Sequence, residues 1–437
     1  MEDIILTEEM QEVMRIVRAG QDNLFVTGKA GSGKTTFLKY LIKNTKKNCI
    51  VAAPTGVAAI NAGGVTLHSL FGIPFYTVTP DTPIDFKFSE QKVKLLLALD
   101  LLIIDEISMV RPDIIDVIDR KLRWVREYYE PFGGVQIVMF GDPFQLPPVI
   151  KNEEKTKLAK YYDDFYFFGA NVFKRMGFKV VELNKVFRQT DIEFVNILNK
   201  IRNYTVTGEE LDVLSELKNK KICGNFNNKY IHICTHKAEV DKINKEMLGE
   251  EDIHTFEAVI KDRFLESSVP CDMKLKIRKG ARVMALVNDS YKGVYNGMLG
   301  EVTNITPEVI NVRMDNGLRV QFTPFTWSNM QYNLKDGQIV AEEIGSCTQF
   351  PITLAWAITI HKSQGLTFDQ VVLHIERTFC PGQLYVALSR CRSLQGTATD
   401  AFITKRMIIP EYALIDFERY YKSEGNYYGK KIENLQN

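Results

Sequence analysis

The sequence has no long hydrophobic run, no CxxC pair and almost no net charge. Its 437 residues carry 55 basic and 54 acidic side chains, a formal net charge of +1, so any contact with nucleic acid must come from local grooves rather than from a global basic field. Asp100 separates the apolar residues 95–99 from the apolar residues 101–104, which leaves no segment long enough to span a bilayer. The acidic start, Met1-Glu2-Asp3, is unlike a secretory or transit peptide.

Cysteines are few and scattered. There are seven, an odd number, which argues against a disulfide framework and against zinc binding. We therefore expect reduced thiols in a reducing compartment and a soluble intracellular protein.

The first 180 residues repeat one pattern, in which a short apolar strand leads into a polar or glycine-bearing loop and often into a helix. The predicted strands are Leu24–Thr27, Cys49–Ala53, Leu101–Ile104 and Gln136–Phe140. This pattern predicts a parallel sheet, and the loops at the carboxyl ends of its strands are expected to converge on one ligand site.

A second set of strands follows, which resembles the first fold without its glycine-rich loop. Its members are Val180–Leu183, Tyr230–Cys234, Leu354–Ile360 and Val371–His374. From about residue 278 to 344 the sequence is β-rich, with turn pairs such as Asn296-Gly297, which predicts an inserted small β-barrel. The segment after Phe417 is polar and rich in tyrosine, and we expect it to fray.

Residues Gly28–Thr35 fit the pattern GxxxxGK[ST] between a strand and the helical residues 37–42. Such a loop points backbone N–H groups and a helix N-terminus at a polyphosphate, while Lys34 reaches the β- and γ-phosphates and the Thr35 hydroxyl binds Mg²⁺. The sequence therefore predicts a phosphate-binding loop.

Two further strand ends carry matching chemistry. Asp105 and Glu106 close a buried strand, and alternation along a strand is expected to send them in different directions, one to the metal and the other to water. Gln145 lies in a proline-stiffened loop, Gly141–Pro148, and is a candidate γ-phosphate sensor; a rigid structural corner is the alternative.

The order of these motifs resembles superfamily 1 helicases, and their details resemble the Pif-type DNA helicases. Besides the phosphate loop, the carriers are Gln11, Ala53–Ala59, Thr66–Phe71, Asp105–Met109, Gly141–Pro148, Phe187–Gln189, Cys234–His236, Thr359–Gly365 and Tyr385–Arg390. The segment 105–122, with Asp113, Asp116 and Asp119, also resembles the signature that separates Pif-type from RecD-like enzymes. The resemblance covers nearly the whole chain.

The resemblance implies an α/β fold of two tandem RecA-like, doubly wound parallel-sheet domains. It implies a wedge insertion at about 70–90 in the first domain and an SH3-like β-barrel insertion in the second. The expected boundaries are 1–180 for the first domain, 181–277 and 349–420 for the two parts of the second, 278–348 for the barrel and 421–437 for a tail.

The resemblance also assigns roles at the ATP site. Gln11 would read adenine, Glu106 would be the catalytic base, and Arg188 and Arg390 would be arginine fingers, which neutralise charge on the γ-phosphoryl group. Thr35 and Asp105 would hold Mg²⁺. The remaining implied nucleotide contacts are Gly28, Gly31, Gly33, Lys34, Thr36 and Gly365.

DNA contacts are expected from loops that carry hydroxyls, imidazoles and lysines, which suit binding to a strand without sequence readout. These residues are Thr55, Gly56, Thr66, His68, Thr235, His236, Lys237, His361 and Lys362. In the insertion, Phe75 and Tyr76 are candidates for a strand-separating wedge, and core packing explains them about as well.

By resemblance, the chain is expected to be an ATP- and Mg²⁺-dependent DNA helicase that moves 5′ to 3′ on single-stranded DNA and unwinds forked or G-quadruplex DNA. A monomer, or a dimer on DNA, in the bacterial cytoplasm at the nucleoid is expected, with roles in repair, recombination or telomere maintenance. The alternatives are a RecD-like or mobile-element DNA motor, an RNA helicase, and an ATP-switched nucleic-acid clamp. Both carboxylates and both arginines argue against the clamp.

Overall fold

The computed structural model describes residues 6–20, 22–83, 87–185, 191–220, 230–264, 266–424 and 426–427. By its internal contacts the chain divides into two units. The first consists of Met1–Val186, Asn329–Ile344 and Glu411–Asn437, and the second of Phe187–Ser328 and Gly345–Pro410. Within the described ranges, no helix combines the length and the apolar character that a membrane crossing needs.

The regular elements are numbered along the chain. The helices are α1 (Glu8–Ala19), α2 (Lys34–Asn44), α3 (Gly56–Ala62), α4 (Leu67–Phe71), α5 (Glu90–Leu97), α6 (Pro112–Arg126), α7 (Asn152–Leu158), α8 (Ile192–Arg202), α9 (Gly208–Asn219), α10 (Lys237–Leu248), α11 (Gln383–Leu388) and α12 (Tyr412–Glu424). The strands are β1 (Leu24–Gly28), β2 (Cys49–Ala53), β3 (Val65–Thr66), β4 (Leu101–Ile104), β5 (Gln136–Phe140), β6 (Phe178–Leu183), β7 (Ile231–Cys234), β8 (His254–Glu257), β9 (Val259–Asp262), β10 (Lys274–Ile277), β11 (Arg282–Ala285), β12 (Leu299–Ile305), β13 (Ile310–Met314), β14 (Arg319–Phe322), β15 (Phe325–Lys335), β16 (Gln338–Gln349), β17 (Ile352–Leu354), β18 (Ala357–Thr359), β19 (Val371–His374), β20 (Thr397–Thr399) and β21 (Asn426–Tyr427).

The first unit is built on a seven-stranded sheet with the order β21-β6-β1-β5-β4-β2-β3. All neighbours pair in parallel except β21, which runs antiparallel to β6. The central strands are buried along their whole length, as expected for a parallel sheet with both faces covered. This arrangement gathers the loops after β1, β4 and β5 at one edge of the sheet.

Two distant segments of the chain complete the first unit. In α12, the ring of Phe417 stacks on Phe168 with centroids 4.1 Å apart. In the hairpin formed by β15 and β16, the Tyr332 hydroxyl accepts from the Val51 N–H at 3.4 Å, and Asn48 donates to the Gly337 carbonyl at 3.1 Å. Burying aromatic side chains in this way contributes about 2–3 kcal/mol each.

The second unit contains a four-stranded parallel sheet with the order β18-β7-β19-β20. It also contains a five-stranded antiparallel sheet with the order β14-β13-β12-β11-β17. Trp356, which is 2% exposed, belongs to the same buried core as Val283 and Val312 of the antiparallel sheet. The remaining strands form a pair, β10-β8, and a three-stranded sheet, β15-β16-β9.

The predicted α/β fold and the four first-unit strands are confirmed, but three local predictions are wrong. Val180–Leu183 belongs to β6 of the first sheet and not to the second set of strands. Residues 354–360 do not form one strand, because β17 and β18 pair in different sheets. The predicted fraying does not begin at Phe417, since α12 continues to Glu424; residues 428–437 lie outside the described part of the chain.

The contact-based units also differ from the expected domain boundaries. Asn329–Ile344 falls inside the expected barrel, 278–348, and the first part of Glu411–Asn437, residues 411–420, falls inside the expected second domain. Both segments group with the first unit because their side chains pack there. Between α4 and α5, the described residues of the expected wedge insertion form no helix or strand.

Candidate functional site

The loop between β1 and α2 needs glycine where the chain folds closely over itself. Gly31 and Gly33 have left-handed backbone angles, with φ of 84° and 82°, which glycine adopts without steric cost. A Cβ on Gly28 would lie 2.6 Å from Ser32 Oγ and 2.8 Å from the Leu183 carbonyl oxygen. The contact with β6 therefore excludes any larger residue at position 28.

The end of this loop forms an anion-binding helix start. Gly33 is the N-cap of α2 and provides no side-chain cap, and the first turn of that fully described helix carries no acidic residue. Neither a capping side chain nor a carboxylate therefore neutralises the partial positive charge of the helix N-terminus. A phosphate group fits such a terminus.

Lys34 is held over the loop. Its Nζ donates to the carbonyl oxygens of Gly28 at 2.5 Å and Lys29 at 3.1 Å. Thr35 and Thr36 follow in the first turn of α2, and both are exposed. An ammonium group above the loop and a hydroxyl beside it suit terminal phosphates and Mg²⁺, respectively.

Asp105 directly follows β4 in a buried position. Burial raises the pKa of its carboxyl group, and three weaker influences oppose this rise: the Glu106 N–H, which donates to Asp105 Oδ1 at 2.9 Å, and the cations of Lys34 and Lys39. A metal ion would favour the same ionised form that these cations favour. The carboxylate thus suits a magnesium ligand.

Glu106 has a left-handed backbone, with φ of 51°, which is uncommon for a residue with a side chain. Because β4 ends at Ile104, the strand alternation from which we predicted the directions of the two carboxylates does not extend to Glu106. Instead, the chain turns at Glu106 into a 3₁₀ helix, Ile107–Met109. Backbone strain of this kind is often found at functional sites.

The loop that carries Gln145 contacts this turn. A Cβ on Gly141 would lie 2.9 Å from Ile107 Cγ2, so only glycine allows this approach. The Gln145 N–H donates to the Asp142 carbonyl at 3.0 Å, and its side-chain amide lies 3.4 Å from Asp142 Oδ2. Gln145 is buried, and these contacts fix its position.

Three predicted elements of the nucleotide site therefore meet at one edge of the first sheet, since β1, β5 and β4 are neighbours. Among the described residues, three buried hydroxyls in or next to these elements have no hydrogen-bond partner. They belong to Thr27 in β1, Ser32 in the glycine-rich loop and Ser108 in the turn after Glu106. Buried hydroxyls are normally satisfied by protein, water or ligand. Together with the loop and Asp105, the orphaned Ser32 hydroxyl fits a magnesium-bound nucleoside triphosphate.

The other predicted nucleotide contacts are more dispersed. Gln11 is exposed on α1 and donates from Nε2 to the Leu6 carbonyl at 3.4 Å. Gly365 has a left-handed φ of 81°. Arg188 lies outside the described residues, so its predicted role as an arginine finger stays a prediction.

Arg390 is buried inside the second unit, with 1% of its surface exposed. Its guanidinium donates to the carbonyl oxygens of Val386 at 2.9 Å and of Ser363 and Leu366, both at 3.3 Å. These bonds hold the loop that carries His361 and Lys362. The bonds show a bracing contact that sequence reasoning did not anticipate, and the arginine-finger role remains a prediction.

The predicted DNA contacts of the first unit lie at two helix starts. Thr55 caps α3 by accepting from the Ala58 N–H at 3.2 Å, and Gly56 is the first residue of that helix. Thr66 caps α4 in the same way, accepting from the Ser69 N–H at 3.1 Å. Each hydroxyl therefore has a structural role, which stabilises a helix by about 1 kcal/mol.

His68 and Phe75 form a stacked pair, with centroids 5.3 Å apart and planes 6° from parallel. Phe75 is 90% exposed and Tyr76 is 63% exposed. Core packing, the alternative explanation of these two aromatic residues, is therefore wrong. An exposed ring that is already stacked on an imidazole offers a further face to a base.

The second unit contains a matching pair. His236 stacks on Phe379 with centroids 5.3 Å apart, and Phe379 is 56% exposed. Thr235 precedes His236, and Lys237 begins α10. Sequence reasoning missed Phe379; the signal available was an aromatic residue shortly after a predicted strand, just before Cys380-Pro381-Gly382.

Comparison with known proteins agrees with the resemblance to Pif-type helicases. A family model described as "PIF1-like helicase" matches residues 5–210. Pif1 of Bacteroides sp, solved in complex with ADP-AlF4, is 69% identical over 97% of this chain and 99% of that chain, with a TM-score of 0.95. Bacteroides Pif1 bound to ssDNA is 70% identical over 98% of this chain and 100% of that chain, with a TM-score of 0.72.

Sequence relatives extend the comparison to animals. The ATP-dependent DNA helicase PIF1 of Mus musculus is 35% identical over 90% of this chain and 59% of the mouse protein. The chain thus spans about three fifths of the length of that relative. With a family-model match, a solved relative similar along its entire length and the motif geometry described above, the chain belongs to the PIF1-like helicase family.

Proposed function

We propose that this chain is an ATP-dependent DNA helicase. One observation carries the proposal: the glycine-rich loop, Asp105 and the Gln145 loop meet at one edge of a parallel sheet in a member of the PIF1-like family. Relatives are named ATP-dependent DNA helicases, and Bacteroides Pif1 was solved with ADP-AlF4. Both properties are transferred to this chain as part of the proposal.

At the nucleotide, the loop N–H groups and Lys34 bind the phosphates, and Gln11 contacts adenine. Thr35 and Asp105 would hold Mg²⁺, which would supply neutralisation of the negative charge of the phosphates. Gly28, Gly31 and Gly33 allow close backbone approach, and Thr36 lies beside the phosphates. Gly365 completes the proposed set of contacts.

For hydrolysis, Glu106 accepts a proton from the attacking water, and Gln145 orients that water or senses the γ-phosphate. Arg188 and Arg390 neutralise the charge that develops during phosphoryl transfer. For Arg390 this role requires its guanidinium to exchange some of its present carbonyl bonds. The bracing contact and the proposed finger role can therefore be separated by experiment.

On the DNA side, the proposed contacts combine hydroxyls, main chain and cations with two aromatic platforms. Phe379 joins the predicted set because its ring lies 5.3 Å from that of His236, the same centroid distance as between Phe75 and His68, with the ring planes at 23° rather than 6°. Aromatic platforms bind bases without sequence preference, as a translocating enzyme requires. The other members are Thr55, Gly56, Thr66, Thr235, Lys237, His361 and Lys362.

Phe75 and Tyr76 are proposed as the strand-separating wedge. Their exposure supports this role, because a ring in contact with solvent can stack on the last base pair of a duplex. A Pif1 structure, described as DNA unwinding at forked dsDNA by two coordinating Pif1 helicases, is 67% identical over 98% of this chain and 100% of that chain, with a TM-score of 0.72. We propose forked DNA as a substrate here too, with a monomer or a dimer on DNA as the active form.

The finer parts of the proposal rest on family resemblance alone. They are 5′-to-3′ movement, unwinding of G-quadruplex DNA, a bacterial cytoplasmic location at the nucleoid, and roles in repair, recombination or telomere maintenance. The RecD-like or mobile-element motor remains the alternative, together with an RNA helicase and an ATP-switched clamp.

The test is unwinding of duplexes that carry either a 5′ or a 3′ single-stranded tail, with ATP and Mg²⁺. We expect unwinding of the 5′-tailed DNA by the wild type and none by Glu106→Gln. Unwinding from the 3′ tail alone would refute the direction. ATP hydrolysis that DNA stimulates without unwinding would favour the clamp, and preference for an RNA tail would favour an RNA helicase.

A further inference from the structure

A separate cluster of metal-binding side chains lies at the carboxyl edge of the second parallel sheet. Glu239, His374 and Asp400 each offer one ligand atom, and these three atoms all lie within 4.8 Å of one another. His374 is the last residue of β19, Asp400 directly follows β20, and Glu239 is in the first turn of α10. Three elements of the second unit thus converge on one point.

The spacing of the cluster matches a metal site. His374 Nδ1 lies 3.0 Å from Asp400 Oδ2 and 3.5 Å from Glu239 Oε1. Zinc binds imidazole nitrogen and carboxylate oxygen at about 2.0–2.2 Å, which places two tetrahedral ligands roughly 3.3–3.5 Å apart. Shifts of a few tenths of an ångström would therefore bring the two His374 distances to coordination geometry, and the two carboxylates, which lie within 4.8 Å of each other, would close on the ion.

Partners on the outer side of the cluster orient two of the ligands. His374 Nε2 lies 2.7 Å from Nδ1 of the buried His232. The Ile375 N–H donates to the second oxygen of Asp400 at 3.2 Å. Metal-binding histidines and carboxylates typically have such outer hydrogen bonds, which fix the ring and the carboxylate in place.

The composition of the cluster selects the kind of ion. One imidazole and two carboxylates suit a divalent transition metal, whereas Mg²⁺ prefers an octahedral shell of oxygen atoms. Glu239 is the most exposed ligand, with 39% of its side chain accessible, against 24% for Asp400 and 14% for His374. The ion and its water ligands can therefore enter beside Glu239.

We propose that Glu239, His374 and Asp400 form a binding site for one divalent transition-metal ion of the zinc class, with water completing the coordination. The scattered cysteines, which argued against zinc, do not bear on this site because it uses none of them. Its ligands belong to the second unit, while the proposed magnesium ligands Thr35 and Asp105 belong to the first. The site is thus additional to the nucleotide metal.

The competing explanation of the same geometry is that a hydrogen on the His374 ring, rather than a metal ion, joins the ring to the carboxylates. A hydrogen on His374 Nδ1, which one tautomer of the neutral ring carries, would be donated to the carboxylates without any metal. A metal displaces that proton. Direct measurement of metal binding therefore decides between the two.

The experiment uses the full chain without an affinity tag and without nucleotide, after treatment with a chelator. Equilibrium dialysis against Zn²⁺ should give one ion per chain, and Co²⁺ as a probe should produce a visible absorption band that Zn²⁺ abolishes. His374→Gln and Glu239→Gln should each weaken binding by at least ~10-fold. His254→Gln, which replaces an exposed histidine outside the cluster, should bind as the wild type does.

Thermal unfolding provides the folding control. Zn²⁺ should raise the Tm of the wild type and of His254→Gln but not that of Glu239→Gln, since a ligand stabilises only the state that binds it. If His374→Gln fails to fold, Glu239→Gln decides alone, because its side chain is the most exposed of the three. Absence of stoichiometric Zn²⁺ binding, or equal binding by Glu239→Gln, would overturn the proposal.

Discussion

The two parallel sheets of this chain share an architecture but carry different chemistry at their strand ends. The first sheet ends in a glycine-rich loop, a buried aspartate and the Gln145 loop. The second ends in a loop braced by Arg390 and in a cluster of imidazoles and carboxylates. The proposed phosphate loop and magnesium ligands thus lie in the first unit, although both units contain a parallel sheet, as expected when function depends on the residues at a site rather than on the fold.

What the two units share is a stacked histidine–phenylalanine pair. His68 is the second residue after β3, and His236 is the second residue after β7. The supports of the pairs differ. Near Phe75, the Thr77 hydroxyl donates to Glu154 at 3.1 Å, and Arg111 binds the same carboxylate at 2.8 Å.

The second pair is supported by neutral bonds instead. The Phe379 N–H donates to Gln383 Oε1 at 2.9 Å, and the Thr378 hydroxyl donates to the Met407 carbonyl at 2.8 Å. The segment that carries Phe75 is thus bonded through Thr77 to Glu154, which pairs with Arg111; Arg111 directly precedes α6 and follows the Asp105-Glu106 turn. The proposed function assigns these two platforms, whose ring planes meet at 6° and 23°, to different steps, strand separation in the first unit and strand holding in the second.

The largest expected effect concerns nucleotide chemistry, which the comparison assigns to the first sheet. Glu106→Gln preserves side-chain shape but removes the proposed base, so DNA-stimulated ATPase turnover should fall by ~10²- to 10⁴-fold while nucleotide binding persists. Steady-state ATPase assays and nucleotide titration measure the two effects. The matched control is Asp369→Asn, an exposed carboxylate before β19 in the second unit, which should retain wild-type turnover. Normal turnover in Glu106→Gln would remove the assigned role.

The next prediction distinguishes loss of ATPase activity from loss of folding stability by comparing Lys34→Ala with Arg390→Ala. Both variants should lose ATPase activity, but Arg390→Ala should cost more stability, about 3 kcal/mol, because its carbonyl partners are buried whereas those of Lys34 are only partly buried. Chemical or thermal unfolding measures the difference.

Arg390→Lys serves as the control for Arg390, since it keeps the charge without the planar fork of donors. Recovered stability without recovered ATPase would support the arginine-finger role. A wild-type Tm for Arg390→Ala would show that the carbonyl bonds of Arg390 do not stabilise the second unit.

A smaller effect tests the two aromatic platforms against each other. Phe379→Ala should weaken binding of single-stranded DNA, because stacking contributes about 1–3 kcal/mol per base, or roughly 5- to 150-fold in Kd. Phe75→Ala should mainly lower the number of base pairs separated per ATP consumed. Fluorescence anisotropy and coupled unwinding–ATPase assays measure the two quantities.

Tyr129→Ala is the control for both phenylalanines, since Tyr129 is 90% exposed in the first unit and is not a proposed DNA contact. It should leave affinity and coupling unchanged. If Phe75→Ala and Phe379→Ala change the same quantity to the same extent, the division between the two platforms is wrong.

The nucleotide edge of the first sheet could be predicted because its signals are local. A glycine-rich loop must join β1 to α2, and an aspartate must follow a short apolar strand, so each motif is contained in a few consecutive residues. The order of neighbouring strands then brings these motifs together. Parallel pairing at the carboxyl edge turns sequence motifs into a site.

The errors arose where position depends on distant partners. Val180–Leu183 reads as a strand, but only its pairing with β1 assigns it to the first sheet. Helix α12 is stabilised where Phe417 packs against the rings of Phe25 and Phe168, and no local sequence pattern reveals these partners. The bonds of Arg390 and the convergence of Glu239, His374 and Asp400 were missed for the same reason.

The smallest expected effect concerns the pH dependence of His68. Burial, and after it the nearby cation of Arg111, lower the pKa of this imidazole from its ordinary value of 6.5, while Asp113 opposes the shift. The unfolded chain therefore binds the proton more tightly than the folded chain does. Stability from the neutral ring is complete above the ordinary pKa and is lost as the pH falls below it.

His68→Gln should therefore reduce the decrease in Tm between about pH 7 and pH 5, and NMR titration should show the His68 ring protonating at a lower pH than an ordinary histidine. The matched control, His254→Gln, replaces an exposed histidine and should keep the wild-type pH dependence of Tm. An unchanged pH dependence in His68→Gln would show that its environment does not favour the neutral ring. In that case His68 could become protonated beside bound DNA. Any difference between the two platforms in the salt dependence of DNA binding would then have to come from the ion pair near Phe75, which the surroundings of Phe379 lack among the contacts described above.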